Sequence, residues 1–167
     1  MGDPALMARA EEVIAEEEAK LEEELLPYRT LFAGKKAVLN TGGNKAWSIA
    51  SGLQDLGIEV VATSIRKSTE DDIAKAREYL GPEGLLMKTP ASQQAKAIDE
   101  RGAHILLAGG RSLYTAIKKK ISFIDVNQEK KVSYGGYNGL LNLAEDLKYA
   151  FGNPVFANVS QKAPWEA

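Results

Sequence analysis

Two short runs carry the residue types best suited to chemistry. Thr41-Gly42-Gly43-Asn44-Lys45 and Gly109-Gly110-Arg111-Ser112 each follow a glycine pair with a cation at most two residues on. Glycine leaves backbone N–H groups bare for close approach, and where such a turn opens a helix, the unpaired amides and the helix dipole favour an anion. Lys45 adds a point charge, whereas Arg111 adds a guanidinium fork suited to bidentate contact. Neither run is the dinucleotide fingerprint G-x-G-x-x-G or the phosphate loop G-x-x-x-x-G-K-[ST]. Taken singly, each is equally explained by a tight turn that needs positive φ.

A third candidate is Asn127-Gln128-Glu129, with Tyr134-Gly135-Gly136-Tyr137-Asn138-Gly139 beyond it. Its amides and glycines suit a bound anion or cluster, but a polar loop that satisfies its own backbone has the same composition. His104 opens an apolar run and reads as a structural residue rather than a ligand. Trp47 and Trp165 read as packing residues, Trp165 as an anchor for the tail. A single histidine leaves no nucleophile-base-orienter triad to assemble. With no cysteine in the chain, a thiolate nucleophile, a disulfide, a Cys-rich zinc site and an iron–sulfur cluster ligated by this chain alone are excluded.

The 167 residues are 44% apolar and 26% charged, the proportions of one ordinary soluble domain large enough to bury a core. No stretch reaches the roughly 18 continuous apolar residues of a membrane span, and no signal peptide opens the chain, so the cytoplasm is the expected compartment. The net charge of −2 is unevenly spread. Residues 1–33 carry nine acids against three bases, a net −6, which leaves +4 for the remainder. That shift divides an acidic leading helix, residues 1–33, from a single Rossmann-like domain over 34–167. No basic stripe with interleaved aromatics exists, so nucleic acid is not an expected partner.

The elements that must position the two turns can be read in order. Leu6, Ala10, Val13, Ile14, Leu21 and Leu25 recur at helical spacing, predicting a helix from Pro4 to Leu26 that Pro27 stops. Its apolar stripe is thin: it either lies against the body or a neighbouring chain, or stays solvated with a weakly held edge. Five strand-helix units follow. The predicted strands are Lys36 to Asn40, Glu59 to Ser64, Leu85 to Lys88, His104 to Ala108 and Ser122 to Val126. Helices are expected from Ala46 to Leu56, from a capping box of Ser68 with Asp71 to Leu80, from Ser92 to Gly102, from the second double-glycine turn to Lys120, and from Leu140 to Phe151. The tail from Gly152 reads as coil or a docked extension.

Alternating strands and helices predict an α/β fold: a three-layer, Rossmann-like domain around a five-stranded parallel sheet. Right-handed crossovers winding first one way and then back give the order 3-2-1-4-5, with a switch point between strands one and four. Ligands bind outside the carboxyl ends at such a point, and the two double-glycine turns sit at those two ends. This shared placement favours a functional reading of Gly42, Gly43, Asn44, Lys45, Gly109, Gly110 and Arg111 over coincidence.

Several stretches stand in a telling order and spacing: G-K-K-A-V-L-N-T-G-G-N-K-A-W-S (Gly34 to Ser48), L-Q-D-L-G-I-E-V-V-A-T (Leu53 to Thr63), R-K-S-T-E-D-D (Arg66 to Asp72), A-G-G-R-S-L-Y-T-A (Ala108 to Ala116) and F-I-D-V-N-Q-E (Phe123 to Glu129), with G-Y-N-G (Gly136 to Gly139) and A-P-W (Ala163 to Trp165). Together they resemble the nitrogenase component 1 superfamily, in particular its cofactor-assembly branch. The resemblance covers nearly the whole chain. It implies the C-terminal domain of a scaffold that holds the iron–sulfur precursor of the iron–molybdenum cofactor. That scaffold would be a heterotetramer with an N-like subunit, exchanging cluster with donor and acceptor proteins. It further implies that Gly42 and Gly43 lie against the cluster, with Asn44 and Lys45 beside them. Arg111 becomes an outer cation, and Asn127, next to Gln128, stands where nitrogenase has a histidine ligand.

Family members are about three such domains long, and their ligating cysteines lie upstream of this segment. An excised segment of a longer chain is therefore expected over a natural stand-alone descendant. No cofactor, redox chemistry or enzymatic activity is expected of the segment alone. Two other readings remain: a Rossmann-like domain that binds a small anion or nucleotide through the same loops, and a docking module that works through its leading helix and tail.

Overall fold

A computed structural model describes residues 3–81, 85–87, 91–126 and 132–162. The elements are α1 (Pro4–Phe32), β1 (Lys36–Asn40), α2 (Asn44–Asp55), β2 (Glu59–Ser64), α3 (Glu70–Leu80), β3 (Leu85–Met87), α4 (Ala91–Arg101), β4 (Ile105–Ala108), a 3-10 turn (Gly110–Ser112), α5 (Leu113–Lys119), β5 (Ser122–Asp125), α6 (Gly136–Gly152) and α7 (Pro154–Ser160). The strands form one sheet in the order β3-β2-β1-β4-β5, every pairing parallel, as the switch-point argument predicts. Among the described residues no helix is long and apolar enough to cross a membrane.

The strands read as unbroken apolar runs because both faces of the sheet are covered. Ala37, Leu39, Ile105 and Leu107 point to one face, where they pack with Leu53 of α2 and Leu143 of α6. Val38, Leu106 and Ala108 point to the other, against Ala97 and Ile98 of α4 and Ala116 of α5. The second face is rich in alanine, which lets its helices sit close to the sheet. Tyr79 of α3 donates its hydroxyl to the Ala50 carbonyl of α2 at 2.9 Å, fixing those two helices side by side.

The leading helix departs from expectation. It does not stop at Pro27 but runs on to Phe32. Proline removes the N–H that would bond the carbonyl four residues back and its ring crowds that carbonyl, a cost of about 3 kcal/mol that packing must offset. Tertiary contacts hold the turns beyond it: Leu25 and Phe32 are fully buried in the first core, and Phe32 packs on Phe151 with ring centroids 5.6 Å apart. Arg29 also ties the helix down, donating from Nε to the Asp55 carbonyl at 2.6 Å and from a terminal nitrogen to Glu22 at 2.8 Å. The apolar edge is therefore split. Leu25 and Phe32 lie in the body, while Leu6, Met7, Val13 and Ile14 stay exposed.

Three further boundaries shift for local reasons. The capping box of α3 uses Thr69 and Asp72, not Ser68 and Asp71, because the Ser68 amide closes a turn onto the Ile65 carbonyl and Lys67 adopts a left-handed φ of 63°. Helix α6 starts at Gly136 rather than Leu140. A Cβ on Gly139 would stand 2.4 Å from the Tyr134 carbonyl carbon, so a glycine run that reads as loop instead lets a helix lie against backbone. The tail contains a short helix, α7, capped by the Asn153 side chain accepting from the Val155 amide at 3.0 Å, with Phe156 buried. Ala163 to Trp165 lie outside the described residues.

His104 is exposed and precedes β4 rather than opening it. Its role is still structural. Nδ1 accepts the Lys36 amide proton at 3.0 Å, while the His104 amide donates to the Lys36 carbonyl at 2.8 Å.

Candidate functional site

The two double-glycine turns leave adjacent strands at paired positions. Asn40, the last residue of β1, is in register with Ala108, the last residue of β4, so Thr41-Gly42-Gly43 and Gly109-Gly110 begin side by side at the carboxyl edge. The turns differ in build. Gly42 and Gly43 have φ of 72° and 62°, conformations that side chains rarely tolerate, and Gly43 is the N-cap of α2. Gly109 is extended, with φ −77° and ψ 157°, and the chain passes through a single 3-10 turn before α5. Only the first turn requires left-handed backbone at both glycines named for it.

Close packing sets the first turn against the loop between β2 and α3. A Cβ on Gly42 would stand 2.1 Å from the Arg66 carbonyl oxygen, and one on Gly43 would stand 3.6 Å from the Lys67 carbonyl oxygen. The sequence alone does not assign this loop to the site, although Arg66 and Lys67 lie in one of the stretches that carry the family resemblance. The left-handed Lys67 leaves no sequence signal, because non-glycine residues there are uncommon.

Helix α2 begins without a side-chain cap: Gly43 offers none, and the Ala46 amide bonds the Gly43 carbonyl at 3.0 Å. One turn in, the Trp47 indole N–H donates to Asp72 Oδ1 at 3.2 Å. The other oxygen of Asp72 accepts from the Thr69 amide at 2.8 Å, completing the cap of α3. That backbone hydrogen bond, ahead of the Thr69 hydroxyl and the indole, holds the Asp72 carboxyl below its ordinary range. From the sequence Trp47 reads as a packing residue, because its polar partner lies 25 residues away.

Among the described residues, Lys45 and Arg111 are exposed and make no ion pair, and the same holds for Arg66 and Lys67. The Thr41 hydroxyl oxygen is buried with no hydrogen-bond partner among the described residues. Asn44 contributes the first residue of α2. The Val126 amide donates to the Ala108 carbonyl at 3.0 Å, which brings the end of β5 to the second turn, and Asn127 and Gln128 lie outside the described residues. The sequence has no cysteine, and among the described residues no group of three or more His, Asp or Glu gathers that could hold a metal ion.

Comparison with known proteins gives the family. A family model described as nitrogenase component 1 type oxidoreductase matches residues 2–151. The chain is 47% identical over 167 residues to the nitrogenase iron-molybdenum cofactor biosynthesis protein NifE of Nostoc sp., covering 99% of this chain and 35% of that protein. It is 41% identical to the protein of the same name from Klebsiella pneumoniae, with 99% and 36% covered. The chain thus spans about a third of the length of these relatives. Among solved structures, one titled "Nitrogenase Cp1 at pH 6.5" superposes with a TM-score of 0.77 at 16% identity, covering 98% of this chain and 42% of that one, a likeness of fold. From a match over residues 2–151 and relatives aligned along 99% of its length, the chain belongs to the nitrogenase component 1 type oxidoreductase family.

Proposed function

We propose that this domain supplies one wall of the pocket in which a precursor of the iron–molybdenum cofactor is held during assembly, as part of a scaffold of the kind named NifE. The observation that carries the reading is the pairing of two double-glycine turns at the adjacent carboxyl ends of β1 and β4, each followed by an exposed cation. The cluster is cargo here, not a resident cofactor. Gly42 and Gly43 present bare amides to its anionic surface, because no Cβ keeps the backbone back. Lys45 and Arg111 balance its charge from outside, Arg111 with a planar fork.

Asn127 stands in for a histidine ligand with a neutral amide, beside Gln128, which suits a cluster that must leave again. Firm ligands come from elsewhere in the scaffold, since this chain has no cysteine. The full assembly is a cytoplasmic heterotetramer with an N-like subunit, receiving its cluster from a donor protein and passing it to an acceptor. The domain by itself catalyses no reaction.

In a full-length scaffold carrying this segment, Lys45→Gln with Arg111→Gln lowers cofactor maturation about a hundredfold, two charged hydrogen bonds at roughly 1.5 kcal/mol each. Unchanged maturation refutes the reading. The rival small-anion or nucleotide reading is tested by calorimetry of the isolated chain. Micromolar binding of ADP supports that rival and overturns the scaffold assignment.

A further inference from the structure

Helix α2 opens the proposed cluster wall, and its N-cap is a glycine with no side-chain hydrogen bond. Ala46 and Ile49 pack its start into the core. The neighbouring strand-helix unit adds a restraint at two points. One is the contact of Gly42 with the Arg66 carbonyl, and the other is the hydrogen bond from the Trp47 indole to Asp72. Asp72 is itself immobilised, since its second oxygen closes the α3 capping box with Thr69.

We propose that Asp72, acting through Trp47, is a positioning residue that aims the Gly42-Gly43 amides at the bound cluster. This rests on the reading of that turn as cluster wall. Because Trp47 sits in the first turn of α2 and Asp72 in the first turn of α3, the carboxylate locks two helix starts to each other. Capping α3 needs only one of its oxygens, and the other is spent on the indole. A role confined to capping would leave the indole N–H without this partner.

The test uses the 167-residue chain and three variants. Trp47→Phe keeps a smaller aromatic ring in place, deletes the N–H donor and leaves the α3 capping box whole. Asp72→Asn leaves one carbonyl oxygen for two donors. Thr69→Ala removes the hydroxyl part of the cap but keeps the Thr69 amide bond to Asp72. Nitrogen-15 relaxation dispersion then reads the mobility of Gly42 and Gly43, with the amides of Ile73 to Ala76 reporting on α3.

The expected result is an exchange contribution at Gly42 and Gly43 at least threefold larger in Trp47→Phe and Asp72→Asn. The α3 amides stay unchanged in Trp47→Phe, and Thr69→Ala leaves both glycines unchanged. The proposal is overturned if Trp47→Phe leaves the glycines as they were, or if Thr69→Ala disturbs them as much. No cluster is needed for this measurement, so its failure stands apart from a failure of the cluster-wall reading, which the Lys45 and Arg111 variants test.

Discussion

Gly42 lies directly against the backbone of Arg66: a Cβ at position 42 would come within 2.1 Å of the Arg66 carbonyl oxygen. The contact joins the loops that follow two neighbouring strands, β1 and β2, into one rim. Any residue other than glycine must part that rim, whether or not it tolerates the left-handed φ of 72°.

Gly34 supplies the control. It shares a φ of +72° but would meet nothing within 4 Å. Gly34→Ala therefore costs only the left-handed penalty of about 1–2 kcal/mol. Gly42→Ala adds the clash and costs about 3 kcal/mol or more. Urea unfolding of both variants measures the difference, and equal losses would mean that the Arg66 contact carries no weight.

The leading helix makes a contrast along its own length. Phe32 is fully buried and Leu6 is 70% exposed. Phe32→Ala should destabilise the domain by about 3–5 kcal/mol, the cost of emptying an aromatic core site. Leu6→Ala should fall within about 0.5 kcal/mol of the parent. Urea midpoints check both values.

His104 should make the domain acid-sensitive. Desolvation, then the charges of Lys35 and Lys36, lower its pKa below the ordinary 6.5, and the Lys36 amide bond to Nδ1 is available only from the unprotonated nitrogen. The unfolded chain thus binds the proton more readily than the folded one. Stability is fully present above about pH 6.5 and is lost as pH falls from there through the folded pKa. One exposed hydrogen bond limits the loss to roughly 1 kcal/mol. His104→Asn retains an acceptor without titrating, so the urea midpoint of the variant should stay level between pH 7.5 and pH 5 while the parent's falls.

Much of the fold is legible in the chain. Strands buried on both faces appear as short apolar runs such as Ile105 to Ala108, and helix stops such as Gly57 mark the spaces between them. Crossover handedness then orders the sheet. Long-range packing is what local signals miss. Pro27 reads as a stop because its consequences are local, whereas the burial of Phe32 that carries α1 past it depends on Phe151, far away in the sequence. Gly139 reads as loop because its use, seating α6 on the Tyr134 backbone, is visible only in three dimensions.

The candidate site divides in the same way. Its glycines and the cations Lys45 and Arg111 are visible as motifs, and strand pairing places the two turns together. Arg66, Lys67 and the Trp47–Asp72 bond are not visible. They come from a neighbouring unit, and a left-handed lysine has no signature in sequence.

Iron retention tests the cluster wall most directly. A full-length scaffold carrying this segment, loaded anaerobically with precursor cluster, is compared with its Lys45→Gln, Arg111→Gln variant by iron content after repeated desalting. The variant should keep well under about one tenth of the parent's iron while retaining its folded content and subunit assembly, since two charged contacts of roughly 1.5 kcal/mol each are lost. Equal retention by the two proteins would contradict the placement of the cluster at the carboxyl ends of β1 and β4.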